Sequence, residues 1–273
     1  EWKSSRNYRI DMLRIFAIAC CLFFIHSVLN AQEDDLLSML EEEERTEYVT
    51  AAFKTNRIIN LHSIENTSKG VLDVKISHRF GFVNGGFYDL FGLDNAEIRI
   101  GGDYGVTDRL QVGLGRGSFQ KTYDGYFKYK ILRQSKGKKV MPITLSFFAS
   151  TAIQTLKWQN PDRDNKFSSR LYYTFQGMIG RKFSDNFSLQ LSPTLVHRNL
   201  VETEEQHNDV FALGIGLRQK ISSRVSINAE YIYVPQDMLR DQYTNALSIG
   251  VDIETGGHVF QLHFTNSTSM IEK

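Results

Sequence analysis

The chain has 273 residues, 12% of them aromatic and only 4 of them proline, and its formal net charge is +1 at pH 7. This composition excludes a disordered chain and favours one large strand-rich domain or two small ones. It also argues against a nucleic-acid partner, because a charge near zero with no block of lysine and arginine offers little to neutralise phosphates.

The first 31 residues have the pattern of a cleavable secretory signal. Basic residues precede the apolar stretch 15–25, and the segment SVLNA (27–31) leads into acidic residues. The stretch is too short to span a bilayer as a helix, so we predict a signal peptide over residues 1–31. Both cysteines, Cys20 and Cys21, lie inside it, and a lipid-anchored Cys20 is the alternative. After cleavage no cysteine is left for disulfides or thiolate metal sites.

We assign residues 32–66 to a periplasmic acidic leader and extended segment. Residues 33–47 (EDDLLSMLEEEERTE) are acidic and compatible with a short helix, which predicts a solvated leader; a docking helix for a periplasmic protein is the alternative. Residues 48–66 (YVTAAFKTNRIINLHSIEN) are less polar. We expect these residues to lie against the periplasmic end of the following domain, or inside it, rather than to hang free.

From about residue 71 onward, apolar residues recur at every second position, which is the period of a β-strand. In LDVKISHRF, residues 72–80, the side chains of Leu72, Val74 and Ile76 share one face, and those of Asp73 and Lys75 share the other. The same alternation predicts eleven strands, at residues 71–82, 96–106, 109–118, 124–133, 140–154, 168–182, 187–198, 209–221, 224–234, 244–254 and 258–266.

The connections between these strands alternate in length. Tight polar turns occur at VTDRL, FSDNF, ISSRV and ETGGH, whereas longer polar segments occur at VNGGFYDLFGLDN, QNPDRDNKF, VETEEQHND and PQDMLRDQY. The short and long connections therefore lie at opposite ends of the strands, as they do in outer-membrane barrels with periplasmic turns and external loops.

Alternating strands fit either a soluble sandwich or barrel with an apolar interior, or a membrane barrel with lipid outside and a polar lumen. Charged residues concentrate within the strands, glycine is frequent on the polar face, and aromatic residues lie near strand ends. These features favour the second architecture. We predict an all-β fold, an antiparallel transmembrane β-barrel of about 12 strands over residues 67–273, in the cell outer membrane of a Gram-negative bacterium, with outer-membrane lipid as its surroundings.

Several segments resemble a known family. ISHRFG, GLDNAEIRIGGDYGVTDRLQVGLGR, KTYDGYFKYKILRQ, SLQLSPTLVHRNL and DIETGGHVFQLHFTNS are similar to signature segments of a Bacteroidota outer-membrane β-barrel family classed as domain of unknown function 5777. The resemblance covers roughly residues 50–270. It implies a barrel in the outer membrane, and it implies no activity and no catalytic residues.

The sequence offers no convincing catalytic or metal site, so we expect no enzymatic activity and no cofactor. Ser192, His197 and Asn199 are the residue types of an outer-membrane hydrolase, but on one strand Ser192 and His197 face opposite sides. Metal-ligand spacings are lacking, and GLGRGS (113–118) continues a strand rather than leading into a helix, as a phosphate-binding loop would.

Charged side chains on the polar face are the best functional clue. By alternation we expect a lumen-lining network of Asp73, Lys75, Arg79, Glu97, Arg99, Asp103, Lys128, Lys130, Arg170, Arg198, Arg218, Glu230, Asp252 and Glu254. These charges could pair across the interior as a purely structural network, since unpaired charge in a narrow lumen is costly. The functional hypothesis is a narrow channel or binding site for a small polar solute, favouring anions near Arg79, Arg99 and Arg170. A structural scaffold, or a receptor acting through its loops or its leader, is the alternative.

Eleven strands is an odd number, whereas single-chain bacterial barrels close with an even number. We therefore expect the last strand to be missing from this sequence, with an unpaired gap between strands 71–82 and 258–266. Direct pairing of those two strands, or a twelfth strand formed by residues 55–66, would contradict this expectation.

Overall fold

The computed structural model describes residues 45–158, 160–201, 203, 206–239 and 243–273. The predicted signal peptide and the leader as far as residue 44 lie outside the described residues. The architecture below is that of the compact unit formed by residues 47–273. Within the described residues, no helix has the length and apolar character needed to cross a membrane.

The described residues form thirteen strands, with four short 3-10 turns between them. The strands are β1 (Thr46–Tyr48), β2 (Leu72–Phe80), β3 (Ala96–Gly105), β4 (Leu110–Gly117), β5 (Thr122–Leu132), β6 (Ser135–Gly137), β7 (Thr144–Gln154), β8 (Leu171–Lys182), β9 (Phe187–Arg198), β10 (Asp209–Lys220), β11 (Val225–Tyr233), β12 (Ala246–Thr255) and β13 (His258–Thr265). The 3-10 turns are Val83–Gly85, Leu90–Gly92, Phe119–Lys121 and Phe167–Arg170.

Eleven of these strands make one antiparallel sheet in chain order from β2 to β13, and the short β1 and β6 pair separately. All eleven predicted strands are confirmed, with small differences at their ends. The predicted strand at 140–154 begins only at Thr144, because the chain before it folds into a small hairpin in which Ser135 and Met141 exchange backbone hydrogen bonds of 3.0 and 3.1 Å. The predicted strand at 168–182 begins at Leu171 because residues 167–170 form a 3-10 turn.

The two faces of the large sheet have opposite polarity. Apolar side chains point outward and are exposed, as in Ile76 (65%), Leu114 (73%) and Leu262 (63%). The inward side chains are largely polar, and Lys128 and Gln190 are fully buried there. A soluble protein would bury the apolar face, so this arrangement requires an apolar surrounding for the outer face.

The sheet curls around residues 49–67, which we call the plug. Each of the eleven strands contacts it, through a side chain or, in β8, through a glycine. The pairs are Lys75–Asn56, Asp103–Asn56, Gln111–Thr67, Lys128–Ser63, Phe148–His62, Gly180–Ile64, Gln190–Ile64, Arg218–Ala51, Glu230–Asn60, Ser248–Asn60 and Gln261–Thr55. A sheet whose every strand reaches one short segment must wrap around that segment. The plug thus lies inside the lumen, one of the two placements expected for residues 48–66.

The plug enters and leaves the lumen at the same end. At its start, the backbone N–H of Val49 donates to the carbonyl of Gln134 (2.8 Å), which lies between β5 and β6 at the end of the barrel with the tight turns. Beyond its last residue, Gly70 donates to the carbonyl of Gly105 (2.7 Å), where β3 turns toward β4 at that same end. The plug is therefore a loop folded into the lumen rather than a segment threaded through it.

The barrel has one open seam. Strands β2 and β13 are the two edges of the sheet and are not hydrogen-bonded to each other in the described part of the chain. The lack of pairing agrees with the expectation from the odd strand count, and residues 55–66 do not form a twelfth strand. After β13 the chain bends back toward the plug, where Arg79 donates to the carbonyl of Ser267 (2.8 Å) and Arg57 contacts the carboxylate of Glu272 (2.9 Å).

Candidate functional site

The site is the interface between the inward side chains of the barrel and the backbone of the plug. Period-two alternation brings one residue in two of each strand into the lumen, and the turns set which strand faces which part of the plug. Residues 52–64 contain the apolar centre of this interface, because Ala52, Phe53, Ile58 and Ile64 are almost completely buried.

Glu230 on β11 binds the innermost part of the plug. Its carboxylate accepts hydrogen bonds from three consecutive backbone N–H groups, those of Ile59 (3.2 Å), Asn60 (3.0 Å) and Leu61 (2.9 Å). It also accepts one from the side-chain amide of Asn60 (2.9 Å). Hydrogen bonds to an ionised acceptor are stronger than those between neutral groups, so Glu230 anchors this part of the plug.

Lys128 on β5 binds carbonyl groups of the plug on either side of residues 59–61. Its ammonium group donates to the backbone oxygens of Asn56 (3.4 Å), Ser63 (3.0 Å) and Glu65. An ammonium group has three donors, and here each has a carbonyl acceptor. This arrangement compensates for the complete burial of the Lys128 side chain.

Amide, guanidinium and ammonium groups bind further parts of the plug backbone. Gln190 accepts from the N–H of Ile64 (2.8 Å) and donates to the carbonyl of His62 (2.7 Å), so one side chain satisfies both kinds of backbone group. The remaining contacts are Gln111 with the N–H of Thr67 (2.7 Å), Arg218 with the carbonyls of Ala51 (3.2 Å) and Ala52 (3.3 Å), and Lys182 with the carbonyl of Thr50 (3.3 Å).

A polar cluster joins the plug to the first strands. Asp103 on β3 accepts from the amide of Asn56 (2.7 Å), from the hydroxyl of Tyr126 and from the ammonium group of Lys75. The opposite charges of Asp103 and Lys75 thus meet at one plug residue, because Lys75 also donates to Asn56. In this cluster, positive and negative side chains of the lumen pair with each other.

Glycines on the lumen wall receive the apolar side chains of the plug. A Cβ atom on Gly214 would lie 2.6 Å from Cδ1 of Leu61, and one on Gly180 would lie 2.6 Å from Cδ1 of Ile64. Ile58 packs in the same way against Gly216. These approaches are too close for any larger residue without a shift, so the wall has three depressions shaped for Ile58, Leu61 and Ile64.

His62 is fully buried between two aromatic rings, with centroids 4.6 Å from Tyr126 and 4.3 Å from Phe148. Its Nε2 lies 3.3 Å from Glu272, yet neither ring nitrogen makes a hydrogen bond to the described residues. Burial, together with the nearby cations Arg57 and Lys128, lowers the pKa of His62 well below its ordinary value. His62 is therefore neutral near pH 7.

Most of the predicted lumen residues contact the plug or one another. Contacts with plug residues are made by Lys75, Arg79, Asp103, Lys128, Lys130, Arg218, Glu230 and Glu254. The other side chains have partners elsewhere: Asp73 with Lys75, Glu97 with Ser118, Arg99 with Asp124, Asp252 with Gln261, and Arg198 with the carbonyl of His207.

Arg170 is placed differently from the prediction. It ends a 3-10 turn before β8, where its guanidinium group donates to the carbonyls of Gln154 and Leu156 and lies 3.7 Å from the ring centroid of Trp158. Arg79, Arg99 and Arg170 are each engaged with their own, different partners and do not form one cluster. The anion preference expected near them stays a prediction.

Sequence reasoning selected charged residues and missed uncharged ones. Gln111, Gln190 and Ser248 bind the plug, and alternation would have placed them on the polar face. Asp124 was missed although it has the same parity as Lys128 on the same strand. The frequency of glycine on the polar face was a weak indication, in the sequence, of the depressions beside Gly180, Gly214 and Gly216.

The residue types of a hydrolase are not assembled. Ser192 accepts a hydrogen bond from Gln190 (2.9 Å) in the lumen, whereas His197 pairs with Asp209 (2.7 Å) and is partly exposed. In the part of the chain that the structure describes, no group of three His, Cys, Asp or Glu side chains could hold a metal ion.

Comparison with known protein families gives a match over most of the chain. The model of a family described as a membrane bound beta barrel domain (DUF5777) matches residues 53–273, which begins within the plug and includes every strand of the large sheet. No curated protein and no solved structure shows significant similarity to the chain.

Proposed function

The chain belongs to the family described as a membrane bound beta barrel domain (DUF5777), and from this premise we propose that its plug gates a path for a small polar solute. We place the barrel in the cell outer membrane of a Gram-negative bacterium, with the tight turns in the periplasm and the longer connections outside, as is usual for such barrels. No catalytic step and no cofactor is part of the proposal.

One observation carries the proposal: the plug is tethered at one end of the barrel only. Because it enters and leaves beside Gln134 and Gly105, withdrawal requires no threading of the chain through the lumen. The wall behind it consists of polar groups such as Gln111, Gln190 and Glu230, which water can solvate once the plug has left.

The strength of the plug's attachment is compatible with gating. A hydrogen bond that water can replace contributes about 0.5–1.5 kcal/mol net, or about 1.5–3 kcal/mol where one partner is charged, even though it is far stronger in isolation. The bonds to Glu230 and Lys128 therefore hold the plug in place without making its withdrawal prohibitive, provided that water fills the lumen as it leaves. An ensemble of closed and open states follows, and a signal or solute that favours the open one shifts it.

Planar-bilayer conductance tests this proposal with a variant in which a disulfide can lock the plug to the lumen wall. The double variant Leu61→Cys/Gly214→Cys replaces the leucine and places a thiol at each side of the plug–wall contact, in a barrel that has no other cysteine after residue 21. We expect no conductance from the oxidised variant and discrete openings after reduction. The single variant Leu61→Cys, treated in the same way, is the control and should show openings under both conditions.

Two results would count against gating. Equal conductance of the oxidised and reduced double variant would mean that ions do not follow the path occupied by the plug. Silence of all variants, with the barrel folded and inserted, would favour the second candidate function, a scaffold or receptor that acts through its external loops or its leader. The extensive bonding of the plug to all parts of the wall is the observation that favours this second candidate.

A further inference from the structure

We propose that the lumen wall is a binding site for polypeptide, which the plug occupies from within the same chain. A peptide with similar chemistry, presented by another molecule, would bind the same wall when the plug is withdrawn. This inference rests on the proposed function, since a ligand can enter only an opened lumen. It narrows the polar solute to a peptide that folds back on itself as the plug does and has branched aliphatic side chains at every third residue.

The first argument is that the wall recognises backbone. Wall side chains accept from five N–H groups of the plug and donate to seven of its carbonyls. The N–H groups are those of Ile59, Asn60, Leu61, Ile64 and Thr67. The carbonyls are those of Thr50, Ala51, Ala52, Asn56, His62, Ser63 and Glu65. A wall that supplies both acceptors for N–H groups and donors for carbonyls fits a polypeptide, whereas a sugar presents hydroxyls and an ion presents a single charge.

The second argument is the spacing of the depressions. Ile58, Leu61 and Ile64 are three residues apart, and their side chains occupy the places beside Gly216, Gly214 and Gly180 on β10 and β8. Backbone contacts give affinity for any peptide, while pockets for side chains at a fixed spacing give selectivity. The wall therefore distinguishes a peptide with this aliphatic spacing from one without it.

The third argument is that the wall and the plug together fix the conformation of the plug. Residues 49–67 contain no helix and no strand, but they have hydrogen bonds of their own: Ile58 donates to the carbonyl of Leu61 (2.8 Å), Ser63 to that of Asn56 (3.0 Å) and Ala52 to the carboxylate of Glu65 (2.8 Å). Wall side chains such as Glu230 and Lys128 bind the segment in this shape. A separate peptide with the same groups would be held in the same shape.

Because the plug is tethered to the wall, a separate peptide competes poorly with it. A segment linked to its site by a short chain has an effective concentration on the order of millimolar, so a free peptide at lower concentration cannot displace an intact plug. The test therefore uses the full-length chain with the plug weakened by Ile58→Ser/Leu61→Ser/Ile64→Ser. These serines remove the side chains from the depressions and leave the wall unchanged.

The probe is a fluorescent synthetic peptide with the sequence of residues 50–67, and binding is followed by anisotropy in detergent. We expect the weakened chain to bind it at least tenfold more tightly than a matched peptide with the same three serines. Adding Gly214→Val to the weakened chain should reduce that preference at least tenfold. Equal binding of the two peptides would overturn the inference.

A second measurement covers the case in which the weakened chain does not fold. The wild-type chain is mixed with millimolar peptide that has a photoreactive group at the position of Leu61, and the crosslinked residue is mapped by mass spectrometry. We expect crosslinks at or beside Gly214. Crosslinks only at residues outside the lumen would overturn the inference.

Failure of this inference differs from failure of gating. If the weakened chain conducts ions but does not distinguish the two peptides, the gate stands and the peptide site does not. If it binds the peptide selectively but remains silent in bilayers, the binding site stands and the gated path does not.

Discussion

Glu230 and Asn60 are 170 residues apart in the sequence, yet the carboxylate of Glu230 accepts from both the backbone N–H (3.0 Å) and the side-chain amide (2.9 Å) of Asn60. One strand residue thus fixes both the main chain and the side chain at the innermost part of the plug. Removing either partner leaves buried polar groups without hydrogen bonds, and such groups are expensive. This makes Glu230 the most informative position for mutation.

We expect Glu230→Ala to destabilise the barrel by about 3 kcal/mol, because three backbone N–H groups lose their acceptor in a buried place. Denaturant titration in detergent measures the loss, and hydrogen exchange should become faster at residues 59–61. Glu254→Gln is the control, since Glu254 pairs with Lys54 at a partly exposed position and such pairs contribute about 0–1 kcal/mol. Similar losses in both variants would show that Glu230 is not an anchor.

Gly214→Val should destabilise the closed state by about 1–3 kcal/mol, because its side chain would overlap that of Leu61. Adding Leu61→Ala should restore part of the loss by making room. Gly177→Ala on β8 is the control, since the nearest atom to its added Cβ is 3.6 Å away on Pro193. A double variant less stable than the sum of its single changes would contradict the direct contact.

The stability of the chain should depend on pH through His62. Its pKa is lowered in the folded chain and returns to about 6.5 on unfolding, so only the unfolded chain takes up a proton as the pH falls below 6.5. Stability contributed by the neutral form is thus fully present above pH 6.5 and is lost below it, by up to about 1.4 kcal/mol per pH unit. His62→Phe, which suits the aromatic surroundings, should remove this part of the slope in titrations between pH 5 and 8. An unchanged slope would mean that His62 is protonated in the folded chain.

Protease treatment of intact cells tests the orientation. Cleavage is expected in the segments at 159–167 and 201–209, which join strands at the end with the longer connections. The tight turns at 183–187 and 221–225 should be protected until the outer membrane is opened. Cleavage confined to those tight turns would invert the orientation.

The strands were predictable from the sequence because a strand with one apolar and one polar face shows period-two alternation in its own residues. Apolar residues alternate with polar ones through β2 to β13, and each strand can be recognised without knowledge of its neighbours. The same parity placed Lys75, Asp103 and Glu230 on the inner face. Arg170 was misplaced because parity says nothing about where a strand begins.

The plug could be located only in general terms. Its residues lack the period-two alternation that marks a strand, and their partners lie far away in the chain: Ile64 is bound by Gln190, 126 residues later, and Leu61 by Glu230, 169 residues later. Nothing local in residues 49–67 encodes those partners. The contacts arise only after the sheet has curled, so reasoning strand by strand could not find them.

The position of the plug before β2 imposes an order on assembly. The plug is the first part of the barrel domain to emerge from synthesis, but the side chains that hold it, from Lys75 to Gln261, come from strands made later. Its backbone groups must stay hydrated through the whole of barrel insertion and can dock only when the wall exists. Contacts across so many residues form slowly. The plug is therefore the last element to reach its native place. A chaperone that keeps the plug solvated until then would bind the first residues of the domain, yet it would assist the last step of folding.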